Sequence, residues 1–236
     1  MGASSIGEWS DGVRAEFARG IVSVCRRLYD AGLIAGQDGN VSVRLPSDTL
    51  LVTPAGASKC DVTERDLIEL TLNGEKVSGA GSASSEILMH LRIYARRPDV
   101  RAVVHAHPPT ATGFGVAGHD LMDDILPEAI FSLGGVPLVP YATPGTPALS
   151  DAMEPFLANH DGFLLANHGA TTVGPTLQLA HQRMESLEHA ARILVVARSL
   201  GRVNALSASD GDVIRAARAA ARRARELGTV DGRGDR

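Results

Sequence analysis

The stretch GNVSVRLPSDTLLVTPAG, residues 39–56, predicts the type of sheet in this chain. Val41, Val43 and Leu45 alternate with polar residues, which is the period of a half-buried strand. A turn is predicted at residues 46–48, and the apolar run after it predicts a returning strand. Because so short a turn joins antiparallel strands, the stretch predicts a β-hairpin and antiparallel pairing.

The elements on either side extend this interpretation to an α/β fold. LIELTLNGEKVSG, residues 67–79, predicts a second hairpin with Asn73-Gly74 at its tip. Hairpins early in the chain and helices at both ends predict an antiparallel or mixed sheet flanked by helices. Periodicity predicts helices within residues 11–31, 84–99, 177–200 and 209–227, and single strands within residues 100–107, 136–141 and 163–167.

Length and composition indicate one globular domain. The chain has 236 residues, of which 44% are hydrophobic and 21% are charged, with a formal net charge of −4. We expect an N-terminal extension at residues 1–10, one domain at residues 11–228 and a disordered tail at residues 229–236. The apolar runs are too short to span a membrane, and the N-terminus has no secretory signal pattern.

The charge and the cysteine count exclude further classes. The acidic balance provides no general field for nucleic acid, and the arginine-rich helix within residues 209–227 is interpreted as a solvated or subunit-contact helix. Cys25 and Cys60 do not form a disulfide framework, which favours a reducing cytoplasm. Lys59 and Lys76 are the only lysines, so Schiff-base chemistry has just two candidate residues.

Three histidines have the pattern of a metal site. In AVVHAHPPTA, residues 102–111, His105 and His107 lie two apart on a predicted strand and therefore share a face. In FLLANHGA, His168 ends a second apolar run, just before Gly169. Three imidazoles with an open fourth position are typical of a catalytic divalent-metal site, most often zinc. The alternative is that each histidine is a core residue bonded to a carbonyl group.

The remaining histidines are weaker candidates. His90, His181 and His189 fall within predicted helices, mostly on polar flanks, where surface exposure or local hydrogen bonding accounts for them. His119 and His160 fall in loops and have no assigned role.

The stretch GSASSEILMH, residues 81–90, has two interpretations. Ser84, Ser85 and Glu86 stand where a helix begins, and serine caps with an early glutamate stabilise helix starts. The same hydroxyl and free N–H groups form an anion site suited to phosphate, and Glu86 beside a metal can exchange a proton.

Two turns can join this anion site. Asn40 can donate its side-chain amide, and Gly56 lets a backbone N–H approach a ligand closely. Lys59 either adds positive charge or lies in solvent, and solvent is the favoured expectation.

In this order, the motifs resemble the class II aldolase family of the fuculose-phosphate aldolase type. The matching segments are GNVSVR (39–44), TPAG (53–56), SSE (84–86), AVVHAHP (102–108), PYATPGT (140–146) and NHG (167–169). The resemblance covers nearly the whole chain and implies a single-domain three-layer α/β/α sandwich with a central, mainly antiparallel sheet. It also implies a homotetramer with active sites at subunit interfaces, acting on a small phosphorylated sugar. Composition and charge add the expectation of a cytoplasmic protein without nucleic-acid or membrane partners.

The resemblance assigns roles to individual residues. It implies that His105, His107 and His168 hold Zn²⁺, with Mn²⁺ or another divalent metal as alternatives. Glu86 matches the acid/base glutamate of the family, which can also approach the metal position when that position is empty. The substrate phosphate would be bound by Asn40, Gly56, Ser84 and Ser85.

The reaction implied first is aldol cleavage of a ketose 1-phosphate, such as L-fuculose 1-phosphate, to dihydroxyacetone phosphate and an aldehyde through a metal-stabilised enediolate. Alternatives are a decarboxylase, dehydratase or epimerase at the same site, or an adducin-head-like interaction module.

The sequence departs from the fuculose-type pattern at three places. Ala55 replaces a phosphate-binding threonine, and Leu227 stands where the C-terminal tyrosine is expected. The loop tyrosine that protonates the aldehyde is absent from DDILPEAIFSLGG, where Glu128 is either a substitute acid or only an exposed loop charge.

Overall fold

One eight-stranded sheet forms the centre of the fold. The computed structural model describes the backbone of residues 4–230 and the side chains of residues 12–224. The strands lie in the order β4-β3-β2-β1-β5-β8-β7-β6, and every neighbouring pair is antiparallel except β6 and β7. The strands are β1 (Asn40–Arg44), β2 (Thr49–Val52), β3 (Ile68–Thr71), β4 (Lys76–Ser78), β5 (Ala102–Ala106), β6 (Leu138–Val139), β7 (Gly162–Leu165) and β8 (Gly169–Gly174).

Helices cover both faces of this sheet, which confirms the three-layer α/β/α sandwich. One hydrophobic core lies between the sheet and α1, α3 and α6, and the other lies between the sheet and α2 and α5. The α4 helix packs against α6 and α7, on the same side as the first core. The helices are α1 (Ser4–Asp30), α2 (Ile87–Arg96), α3 (Pro109–Val116), α4 (Pro127–Leu133), α5 (Pro147–Leu157), α6 (Leu177–Ser199) and α7 (Ala208–Val230).

Both predicted hairpins are confirmed. The β1 and β2 strands pair antiparallel, as do β3 and β4, and Gly74 turns the second hairpin with a φ of 86° that suits glycine. The β5 strand lies between β1 and β8, and Asn40 is opposite His105 in the first pairing. Two candidate site residues, Asn40 and His105, therefore lie on adjacent strands in the middle of the sheet.

The structure also holds elements that the periodicity did not predict. The sequence predicts only a turn after His168, whereas the structure has the β8 strand there. Its residues, GATTVG, form no apolar run or alternation, although the strand is buried along its length. Helices α3, α4 and α5 were not predicted either; each has proline at its start. The α1 helix begins at Ser4 and so runs through the boundary expected after residue 10. Most of the expected tail, residues 229–236, lies outside the described residues.

His90 and His181 are buried, so surface exposure does not account for them; each has a side-chain partner instead, Ser42 for His90 and Glu185 for His181. The His90 side chain is packed under the sheet, where its Nδ1 lies 2.7 Å from Ser42 Oγ. Burial lowers the pKa of His90 to about 4, so this imidazole is a neutral core group. His181 is buried on α6, whereas His189 is exposed as expected.

Asp161, immediately before β7, links α7 to the rest of the fold. Its carboxylate is 2% exposed and accepts hydrogen bonds from Arg97, Arg183 and Arg218 at 2.6–2.8 Å. We expect Asp161→Ala to lower the free energy of unfolding by about 3–5 kcal/mol, because it removes the buried carboxylate that Arg97, Arg183 and Arg218 share.

Urea unfolding of the full chain measures this effect. The control is Asp151→Ala, which removes an exposed partner of Arg92 and should cost less than about 1 kcal/mol. Equal stability of the two variants would contradict the structural role of Asp161.

No helix of the described residues is long and apolar enough to cross a membrane.

Candidate metal centre

The three predicted histidines lie together at one end of the sheet. His105 is the penultimate residue of β5, His107 follows the end of this strand, and His168 lies in the turn between β7 and β8. His105 Nε2 and His107 Nε2 are 3.2 Å apart, and one ring nitrogen from each of the three lies within 4.8 Å of the others. Nitrogen ligands on a tetrahedral zinc ion are about 3.4 Å apart, so the cluster has suitable spacing for a metal ion.

In His105 and His107, Nδ1 has a partner outside the cluster, which leaves Nε2 free to bind a metal. His105 Nδ1 is 3.0 Å from the Ala170 carbonyl oxygen, and His107 Nδ1 is 3.3 Å from Asp38 Oδ2. Donation from Nδ1 places the Nε2 lone pair on the side of the cluster. Burial lowers the pKa of His105 to about 3 and also lowers that of His107, so both rings are neutral at pH 7, as metal ligands must be.

Glu86 is in direct contact with the histidine cluster. Its Oε1 is 2.8 Å from His168 Nε2, its Oε2 is 3.3 Å from His105 Nε2, and Asn40 Nδ2 donates to Oε2 at 2.7 Å. Burial alone raises the pKa of Glu86, but the two histidines and the Asn40 hydrogen bond outweigh it and hold the pKa well below its usual range. An ionised carboxylate therefore faces the same nitrogens that would bind a cation.

The residues predicted to bind phosphate lie beside Glu86. Ser84 Oγ accepts a hydrogen bond from the Glu86 backbone N–H at 3.3 Å, and Ser85 is exposed. Gly56 has a φ of 70° and open space around it, so a ligand can approach its backbone. Asn40 donates its amide to Glu86, and its Oδ1 is buried with no hydrogen-bond partner among residues 12–224.

The expectation that Lys59 lies in solvent was wrong. Lys59 is 3% exposed, and its ammonium group donates to the carbonyl oxygens of Gln37 at 3.1 Å and Ala57 at 2.7 Å. Burial lowers the pKa of this lysine, while the charges of Asp38 and Glu86 act in the opposite direction. Lys59 thus joins the loop that leads into Asn40 at the start of β1 to the loop after β2 that carries Gly56.

The structure does not bring Glu128 to the histidines of its own chain. Glu128 is exposed in the first turn of α4, whose helix packs on α6 and α7, whereas Glu86 begins α2 on the opposite face of the sheet. Among residues 12–224, whose side chains are described, Glu128 has no hydrogen bond or ion pair with the histidine cluster.

Asp38 is a site residue that the sequence interpretation missed. It lies two positions before Asn40, in the turn QDGN, and its carboxylate meets His107. Its acidic character beside a predicted ligand-binding turn was the available signal.

Gly169 is required for the position of His107. A Cβ atom at Gly169 would lie 2.5 Å from His107 Cδ2 and 2.6 Å from the Ala106 carbonyl oxygen. We expect Gly169→Ala to lower metal affinity by about 10–100-fold, the loss seen when the orientation of a ligand is disturbed.

Titration of the metal-free chain with Zn²⁺ measures this effect. Gly113→Ala is the control, because a Cβ atom there would meet no described residue within 4 Å outside its own helix. Unchanged zinc affinity in Gly169→Ala would show that His107 does not depend on this contact.

Comparison with known proteins identifies the family. The model of the class II aldolase and adducin N-terminal domain matches residues 19–195, and the chain belongs to this family. A 3-oxo-tetronate 4-phosphate decarboxylase of Escherichia coli O6:H1 is 33% identical over 177 residues, which cover 73% of this chain and 83% of the relative. An L-fuculose phosphate aldolase of Methanococcus vannielii is 33% identical over 172 residues, which cover 73% of this chain and 92% of the relative.

Solved structures show the same relationship. The crystal structure of YgbL from Escherichia coli superposes with a TM-score of 0.81 at 29% identity, covering 86% of this chain and 99% of that chain. The expected resemblance to the fuculose-phosphate aldolase type is therefore confirmed at the level of the family.

Proposed function

We propose that this chain is a metal-dependent lyase that decarboxylates a phosphorylated 3-oxo sugar acid. The observation that carries the proposal is the contact of the Glu86 carboxylate with both His105 and His168, which joins a proton carrier to a metal-type histidine cluster. The decarboxylase relatives support this reaction over the aldol cleavage that the sequence favoured first.

The metal would be held by His105, His107 and His168, with zinc as the expected ion. A divalent ion there would act as a Lewis acid on substrate oxygens and stabilise the negative charge that develops during bond cleavage. Conversely, the interaction-module alternative gives no reason for three converging imidazoles beside a partly buried glutamate.

The phosphate of the substrate would bind at the start of α2. Ser84 and Ser85 provide hydroxyl groups there, and the open backbone at Gly56 provides an N–H group. Lys59 holds the Gly56 loop in place and adds a positive charge beneath it. Binding at this end fixes the substrate relative to Glu86, which lies one residue beyond Ser85.

Decarboxylation requires one proton transfer in addition to bond cleavage. The C1–C2 bond breaks, CO₂ leaves, and the electron pair remains on C2. Glu86 then transfers a proton, taken up from water, to C2, which yields a three-carbon ketose phosphate. The single carboxylate that contacts His105 and His168 is sufficient for this sequence.

Aldol cleavage of a ketose 1-phosphate is the second candidate, because L-fuculose phosphate aldolases are also relatives. This reaction additionally requires a group that removes the proton from the C4 hydroxyl. The two expected tyrosines are absent, and Glu128 would have to supply this group from a neighbouring subunit of the homotetramer that the resemblance implies.

A substrate panel distinguishes the two reactions. The zinc-loaded full chain is assayed with 3-oxo-tetronate 4-phosphate and with L-fuculose 1-phosphate, measuring CO₂ and aldehyde release. We expect CO₂ release alone, and unphosphorylated 3-oxo-tetronate should react much more slowly. Aldehyde release without CO₂ would replace the decarboxylase by the aldolase, and inactivity on both substrates would contradict both candidates.

A further inference from the structure

A cavity at the opposite end of the sheet is separate from the histidine cluster. It encloses about 450 Å³ between the start of β5, the end of β8 and helix α7. Arg101 precedes β5 at this end, whereas His105 lies four residues further along, about 14 Å away at the rise of a strand. A ligand in this cavity would therefore not contact the candidate metal site.

The lining of the cavity is strongly cationic. Five arginines and two aspartates line it, a formal excess of three positive charges in a chain whose net charge is −4. Asp161 accepts from Arg97, Arg183 and Arg218, and Asp99 accepts from Arg97 and Arg222. Each carboxylate thus contacts more than one guanidinium group, and the residues that line the cavity carry more positive than negative charge.

Arg101 lines the cavity but is not part of this ion-pair network. Its side chain is partly buried at the cavity wall and forms no ion pair or side-chain hydrogen bond within residues 12–224, where side chains are described. Arg218 Nε, which is buried, likewise has no acceptor among those residues. A planar guanidinium without a counter-ion at a concave wall is suited to a carboxylate, sulfonate or phosphate group.

The rest of the wall is apolar. Pro98, Val100, Phe131 and Leu179 are among its apolar lining residues, and Phe131 is 44% exposed although it is a large aromatic residue. An inorganic ion would leave this surface in contact with water, whereas an organic anion would cover it.

We infer that this cavity is a second binding site, which takes a small organic anion with an apolar body. The charged group of the ligand lies against Arg101, and its body lies against Phe131 and Leu179. The size of the cavity falls in the range of small-molecule sites. This site does not depend on the reaction proposed above.

The anionic dye anilinonaphthalene sulfonate is a probe of the required chemistry, because it joins a sulfonate to an apolar aromatic body. Dye fluorescence is titrated on the folded full chain, with the uncharged analogue phenylnaphthylamine in parallel. We expect saturable binding of one dye per chain, and affinity at least about tenfold lower for the uncharged analogue.

Two variants locate the dye. Ala221→Glu places a carboxylate in the cavity on a helix that tolerates glutamate, and Arg101→Gln removes the unpaired charge. Each should weaken dye binding at least about tenfold. The matched control is Ala220→Glu, which adds the same charge one residue earlier on α7, at an exposed position outside the cavity. Circular dichroism of each variant checks that the fold is retained.

The proposal is overturned if the wild-type chain shows no saturable binding. It is also overturned if Ala221→Glu and Ala220→Glu bind the dye equally, since the dye would then lie elsewhere. Retention of dye binding in His107→Ala would further support a site distinct from the metal centre.

Discussion

Replacing His107 with alanine is expected to remove the bound divalent metal and, with it, nearly all activity. His107 Nε2 lies 3.2 Å from His105 Nε2, and Asp38 orients its ring from the other side. Loss of an outer partner of a metal ligand costs about 10–100-fold in affinity, so loss of a ligand itself should exceed about a hundredfold. Metal analysis of the purified chain and zinc titration of the metal-free chain measure the change.

The fold should tolerate this substitution. His107 lies just beyond the end of β5, and its side chain is 25% exposed, so alanine leaves no large internal cavity. His189→Ala is the control, because His189 is exposed on α6. An unchanged content of about one zinc ion per chain in His107→Ala would refute the three-histidine site and the proposed reaction that depends on it.

Replacing Glu86 with glutamine is expected to keep the metal and to lower the turnover rate by about 10²–10⁴-fold, the usual contribution of a general acid–base group. Glutamine has the same shape, and its carbonyl oxygen can still accept the hydrogen bond from Asn40. It cannot carry a proton to the substrate carbon at neutral pH. Steady-state kinetics should therefore show a lower kcat at a similar KM, with zinc content unchanged.

Two comparisons make this result specific to Glu86. Glu185→Gln changes an exposed glutamate beside His181 on α6 and should retain full activity. Glu128→Gln tests whether Glu128 takes part in the reaction. The variant should retain activity if the enzyme is a decarboxylase, and it should lose activity if Glu128 replaces the missing tyrosine of an aldolase. A fully active Glu86→Gln enzyme would show that the proposed proton transfer is wrong while leaving the metal site intact.

Much of the fold is predictable because its signals are local. The alternation in β1, the Asn73-Gly74 turn and the apolar stripe of α6 each reflect contacts that repeat within a few residues. The β8 strand is not predictable from its own composition, because pairing with neighbouring strands stabilises it. Its threonines pair with β5 on one side and with β7 on the other. These inter-strand hydrogen bonds join residues that are distant in sequence, so no local pattern predicts them.

The candidate site likewise contains residues that the local sequence predicts and residues that only the structure identifies. His105, His107 and His168 were predicted as a group because each stands at the end of an apolar run, and Glu86 was predicted from its place at a helix start. The positions that the structure alone revealed depend on distant partners. Asp38 orients His107 from a loop 69 residues earlier, and Lys59 is buried because two loop carbonyls surround its ammonium group.

Residue type and spacing thus determined the family, the hairpins, the long helices and the residues able to bind a metal, because each of these is encoded by neighbours along the chain. Tertiary structure alone decided which polar groups are buried and what they contact. Asp161, for example, meets Arg97 and Arg218, which lie 64 and 57 residues away in sequence. A charge is stable inside a protein only where opposite charges converge on it, and that convergence exists only after the sheet and helices have packed.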